Sequence, residues 1–145
     1  MNKRIILFII AAFMSMCIQS FSDEKKAEVI LDNEFYTSLQ NSDAIKRIRT
    51  FDMLKDVIVK GSGNVVKVEV ADVLKKKFRI VLSLNLHGIQ ILYYCYTDQD
   101  EYFDLLQPDD IFEFSGQFVV ATPLNARFDT FIIDILLEEG AVVVH

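Results

Sequence analysis

Glycine, proline, cysteine and histidine are all scarce in this chain of 145 residues, at five, two, two and two. The two histidines and Cys95, the one cysteine beyond the N-terminal apolar run, cannot supply a zinc centre at any standard spacing. The few glycines form no phosphate-cradling loop. With so little proline and glycine, no interdomain linker, repeat or low-complexity tract is visible. Nucleophilic catalysis needs a base beside a serine or cysteine. His87 lies in a tight turn and His145 is the last residue, and neither has a neighbour that suggests a triad. Positive charge is missing from the second half, where residues 81–145 hold Arg127 alone against eleven Asp or Glu. So many carboxylates make any pairing for acid–base hydrolysis unselective. The sequence therefore predicts no catalytic, cofactor-binding or metal-ligating residue.

What is present begins with an N-terminus in three zones. Lys3 and Arg4 are followed by the uncharged stretch Ile5–Ile18, then by Gln19-Ser20-Phe21-Ser22 and the charged opening Asp23-Glu24-Lys25-Lys26. The apolar run is short of the roughly 20 residues that span a bilayer. Ser20 and Ser22 are small residues suitably placed before a cut at Asp23. Residues 1–22 are thus expected to be a cleavable secretory signal, and the protein to be periplasmic or extracellular. An uncut anchor is the alternative, and membrane contact would follow only then. A lipid on Cys17 is disfavoured because Met16 before it is not small. Cleavage would leave one cysteine, Cys95, and hence no internal disulfide. Its place among Tyr93, Tyr94 and Tyr96 predicts a buried, inert thiol, with pairing between chains as the alternative.

The formal charge is −6, and −8 without the signal. Residues 44–80 hold ten Lys or Arg against four Asp or Glu. The acidic overall charge argues against nucleic acid as a partner, with the cluster Lys75-Lys76-Lys77-Phe78-Arg79 as the only counter-indication. A second cluster comprises Asp98, Asp100, Glu101, Asp104, Asp109 and Asp110. Asp98 and Asp100 match the first two positions of a calcium loop, but Tyr102 occupies the third and no glycine follows. These nine residues are the candidate interaction surface.

Asp43 can cap a helix in which Ala44, Ile45, Ile48, Phe51, Leu54, Val57 and Ile58 recur at helical spacing, with Gly61-Ser62-Gly63 expected to end it. A shorter helical turn is expected over residues 34–40. After Gly63 the period becomes two. Val66, Val68 and Val70 form one strand; Phe78, Ile80, Leu82, Leu84 and Leu86 form the next, with the lysines at the turn between them. His87-Gly88 then turns into a strand over residues 89–97. A helical plug is expected within residues 98–110, followed by strands at 111–121 and 131–138 and a short one at 141–144. Gly116 reads as a bulge or sharp bend. The organisation expected is a signal at 1–22, a helical segment at 23–63 and a β domain at 64–145, the last two forming one globular unit.

Three meandering strands, a short helix and two more strands resemble the OB-fold, a small five-stranded barrel. The phrase Asp110-Ile111-Phe112-Glu113-Phe114-Ser115-Gly116-Gln117-Phe118 looks like the fourth strand of such domains. The resemblance covers roughly residues 64–138, is one of fold alone, and suits exported bacterial OB-type proteins. A cystatin-like α+β domain, with a helix across an antiparallel meander, is the alternative. The function expected is an exported, non-enzymatic binding or structural module for a protein, glycan or envelope component. An inhibitor or immunity-like protein docking a basic partner through its acidic half comes second, and a carboxylate-based hydrolase third.

Overall fold

The computed structural model describes residues 27–138 and 143–144. The signal read from residues 1–22, and His145, lie outside the described residues. In chain order the elements are β1 (Glu28–Leu31), α1 (Asn33–Gln40), α2 (Ala44–Asp52), β2 (Ile58–Val73), β3 (Lys76–Leu86), β4 (Ile89–Thr97), α3 (Tyr102–Leu105), β5 (Ile111–Pro123), β6 (Thr130–Leu137) and β7 (Val143–Val144).

The long strand β2 closes the sheet. Its first half, Ile58–Asn64, pairs antiparallel with β5; its second half, from Asn64 onward, pairs antiparallel with β3. β3 pairs antiparallel with β4, β4 parallel with β6, and β6 antiparallel with β5. Going round the ring, β2, β3, β4, β6 and β5 return to β2. That closed order, with a helix between the third and fourth barrel strands, is the OB-like barrel. A cystatin-like meander would leave the sheet open, so that alternative is corrected by the pairing of β5 back onto β2. β1 adds in parallel to the start of β2, and β7 pairs with Phe112 and Glu113 of β5.

Alternation places Val65, Ile80, Leu82, Ile91, Tyr93, Cys95, Phe112, Phe114, Phe118, Phe131, Ile133 and Ile135 inside the ring. Each buried ring or branched chain contributes about 2 kcal/mol by leaving water. Cys95 is a free, fully buried thiol, as its setting predicts. The barrel's two ends are plugged differently. At the β3–β4 turn end, α1 and α2 bring Phe35, Tyr36, Leu39 and Phe51 over the opening, with Phe51 stacked on Phe118 and tilted against Phe131. At the other end, α3 inserts Tyr102 edge-on to Phe112, and Leu106 follows it into the core. Both longer helices are capped by aspartate: Asp32 accepts from the Phe35 amide at 3.0 Å and Asp43 from the Lys46 amide at 2.8 Å.

Two sequence expectations need correction. The helix stops at Asp52, Asp56 takes a left-handed φ of 64°, and residues 58–63 are strand. Consecutive Val57, Ile58 and Val59 fit a strand buried on both faces as well as they fit a helix, and Ile58 and Val59 are buried. Gly61 is therefore a close-approach residue within β2, since a Cβ there would lie 2.8 Å from Cζ of Phe114. Gly116 likewise carries no bulge; the register shift in β5 falls between Phe118 and Val120.

Candidate ligand-binding face

Residues that alternate out of the barrel from β3 and β4 form a polar and aromatic surface. The register sets its rows: Glu69 of β2 stands opposite Arg79 of β3, which stands opposite Tyr96 of β4. One row along, Lys67 faces Val81, Val81 faces Tyr94, and Tyr94 faces Asp134 of β6.

Arg79 is the hub. Its guanidinium carbon lies 4.2 Å from the centre of the Tyr94 ring and 6.0 Å from that of Tyr96, close enough for the ring quadrupole to attract the charge. Nε donates to Oε1 of Glu69 at 2.9 Å, and a terminal nitrogen donates to the same oxygen. Lys67 reaches Oε2 of Glu69 at 2.7 Å. Hydrogen bonds from Lys67 and Arg79 hold the Glu69 carboxyl below its ordinary pKa. Tyr96 donates its hydroxyl to Oδ1 of Asp134 at 3.0 Å. Val81 and Tyr96 point outward yet are almost fully covered by their neighbours, whereas Tyr94 stays half-buried. The accessible part of the platform is therefore Tyr94 with its stacked Arg79.

Burial pushes the Asp134 carboxyl above its ordinary pKa, against the opposing pull of the Tyr96 hydrogen bond and Arg79. A raised folded-state pKa means that folding favours the protonated form. The stabilisation is complete below the unfolded carboxylate pKa and is lost as pH rises through the folded value. Asp134→Asn keeps an acceptor for Tyr96 and removes the charge. Its stability is expected to gain on that of wild type as pH is raised from about 4 to 7. Thermal melts across that range test this; parallel pH curves for the two proteins would contradict it.

Two loops bound the face. At one end the β2–β3 hairpin turns through Leu74 and Lys75, both at left-handed φ (54° and 59°), into Lys76 and Lys77 at the start of β3. At the other, residues 124–129 carry Arg127, and the carbonyl of Phe128 accepts from Arg47 of α2 at 3.0 Å. The nine residues singled out in the sequence lie on the β2–β3 hairpin, at the end of β4, around α3 and on the approach to β5. Asp98 joins the lysines, accepting from Lys76 Nζ at 3.2 Å and from the Lys77 amide at 3.1 Å. Asp100, Glu101 and Asp104 sit on and just before α3, while Asp109 and Asp110 lead into β5. Asp110 accepts from the Gln107 amide at 2.8 Å, closing that turn. Among the described residues, no group of three His, Cys, Asp or Glu is placed to hold a metal ion.

Arg79, Tyr94, Tyr96 and Asp134 are absent from the sequence-based surface. The signal was in β4 itself: in Tyr93-Tyr94-Cys95-Tyr96, period two puts Tyr94 and Tyr96 on the opposite face from Tyr93 and Cys95.

No family model matches the chain, and no curated protein does. Similar solved structures include the Entamoeba histolytica asparaginyl-tRNA synthetase in complex with asparaginyl-adenylate, at 12% identity and TM-score 0.44, matching 83% of this chain and 24% of that one. A putative aspartyl-tRNA synthetase from Leishmania major Friedlin follows, at 14% identity and TM-score 0.40, with 83% and 21% covered. This chain thus spans about a quarter or less of those two enzymes. DNA binding domain A of S. cerevisiae Replication Protein A is matched over 82% of this chain and 94% of its own length, at 9% identity and TM-score 0.40. The exclusion of nucleic acid that the sequence drew from net charge does not stand. The physical reason is that a net charge sums over the whole chain. The fold sets Lys67 and Arg79 on β2 and β3 with Glu69 paired between them, Lys75, Lys76 and Lys77 at the hairpin beside Asp98, and Asp100, Glu101, Asp104, Asp109 and Asp110 at α3 and the start of β5.

Proposed function

We propose that this chain is a non-enzymatic binding module that takes an extended anionic polymer across the outer face of β3 and β4. The observation that carries the reading is the half-exposed Tyr94 with Arg79 stacked on it, next to a hairpin bearing Lys75, Lys76 and Lys77. An aromatic face lets a planar ring of the ligand stack, and the lysines meet its anionic groups. OB barrels use this combination of strand face and flanking loops for oligonucleotides and oligosaccharides alike. Phosphate and the sulfate or carboxylate of an acidic glycan offer the same charge to the hairpin.

Fluorescence anisotropy at low salt, with a labelled oligothymidylate and a labelled heparin oligosaccharide, separates the two sources. One of them is expected to bind, with Tyr94→Ala weakening it about tenfold and charge reversal at Lys75 and Lys77 flattening its salt dependence. Absence of binding to both polymers, or full affinity in Tyr94→Ala, would sink the proposal. We further propose that the module acts outside the cytoplasm after cleavage before Asp23, on the strength of the charged, apolar and small-residue zones of residues 1–22. Mass spectrometry of the mature N-terminus tests that, and a chain beginning at Met1 would reverse it.

A further inference from the structure

The barrel is closed, but β2 is longer than the closure needs. Beyond Asn64 it pairs with β3 on one side, and among the described residues no strand pairs with its other side. The unpaired window has natural limits. At its start, the amide of Val65 donates to the carbonyl of Asp110 and its carbonyl accepts from the amide of Asp109, both at 2.8 Å. At its end, Asp72 takes a left-handed φ of 52° and the pairing with β3 shifts register after Val70. Residues 66–70 are left as an edge with Val68 at its centre, Val66 standing at a register shift against β3 between Val65 and Lys67. This edge exposes apolar surface, with Val66 at 43% and Val70 at 71%. An open edge with exposed valines is a template for a further strand.

We propose that this edge pairs antiparallel with the same edge of a second copy, about a two-fold axis at Val68. The sequence of the window selects that partner. A two-fold at Val68 sets Val68 opposite its own copy and Val66 opposite Val70. It also sets Lys67 opposite Glu69 twice over, so every cross-strand pair is matched in polarity or charge. A shift of the axis to Glu69 would instead oppose two glutamates. In the matched register Ala71 falls opposite Val65 of the second copy, where the Asp109 and Asp110 backbone bonds to Val65 end the ladder. Phe103 and Leu105 of α3, both substantially exposed, flank the same end of the barrel. Five residues of strand bury less than a standard interface, so the association belongs in the micromolar range.

Sedimentation velocity on the purified chain over a dilution series is expected to show a reversible monomer–dimer equilibrium. Val70→Lys, at a position already exposed, is expected to give a monomer with an unchanged melting temperature. The double variant Val66→Cys/Val70→Cys is expected to form a covalent dimer on mild oxidation, while wild type, whose Cys95 is buried, forms none. A wild-type chain that stays monomeric at hundreds of micromolar, a Val70→Lys chain that still dimerises, or a double-cysteine chain that stays monomeric after oxidation would each overturn the proposal.

Discussion

Gly116→Ala is expected to destabilise the protein by about 3 kcal/mol, as over-packing of a closed core does. Gly116 is where β5 changes partners, standing opposite Val59 of β2 on one side and Leu137 of β6 on the other. A Cβ there would lie 2.6 Å from Cγ2 of Ile135 and closer still to the carbonyl oxygen of Leu136. Ile135 is fully buried, and the carbonyl belongs to the backbone of β6. Neither can swing away as an exposed side chain would. Room for one methyl group must come from separating β5 and β6 at a seam of the barrel. Gly88 is the control: it has a φ of +82° and nothing within 4 Å of an added Cβ. Gly88→Ala is therefore expected to cost about 1 kcal/mol through backbone conformation alone. Thermal melts distinguish the two, with a loss of about 10 °C for Gly116→Ala and a few degrees for Gly88→Ala. Equal losses would mean that the seam yields without strain.

The same glycine marks where sequence patterning carried the fold and where it did not. β3, β4 and β6 were legible because each buries one face continuously, which writes period two into Phe78–Leu86, Ile89–Thr97 and Thr130–Leu137. The barrel order was legible because strand count and the α3 interruption limit the closed topologies. The first half of β2 was hidden: Val57, Ile58 and Val59 extend a helical series without a break, and Gly61 and Gly63 imitate a helix terminator. Their role as close-approach residues exists only once β5 lies alongside. β1 is four residues long and parallel to β2, a pairing that leaves no turn signal in the chain. The binding face was missed for another reason. A tyrosine-rich strand reads as core, and only the register with Arg79 and Asp134 reveals which tyrosines look outward.

One of those core tyrosines supports the second large effect. Tyr36 of α1 and Tyr93 of β4 are both fully buried, and their hydroxyls hydrogen-bond to each other inside the plugged end of the barrel. Each hydroxyl satisfies the other, so the pair contributes little net stability, but breaking it leaves one polar group unpaired in an apolar core. Tyr93→Phe and Tyr36→Phe are each expected to cost about 2 kcal/mol. The double variant is expected to cost less than either single change, because no orphaned hydroxyl remains. That sign is the test, since independent packing losses would add. Desolvation also raises both phenol pKa values, in Tyr36 against the hydrogen bond from Tyr93 that lowers it. With folded values above the unfolded one, the stabilisation is whole below about pH 10 and is lost as pH climbs past it. The wild-type barrel is therefore expected to unfold in alkali, and the Tyr36→Phe/Tyr93→Phe chain to withstand higher pH. Urea titrations at neutral and alkaline pH on the four proteins measure both effects. Additive losses at neutral pH, or alkaline midpoints that coincide, would show that the hydroxyl pair does not govern this end of the barrel.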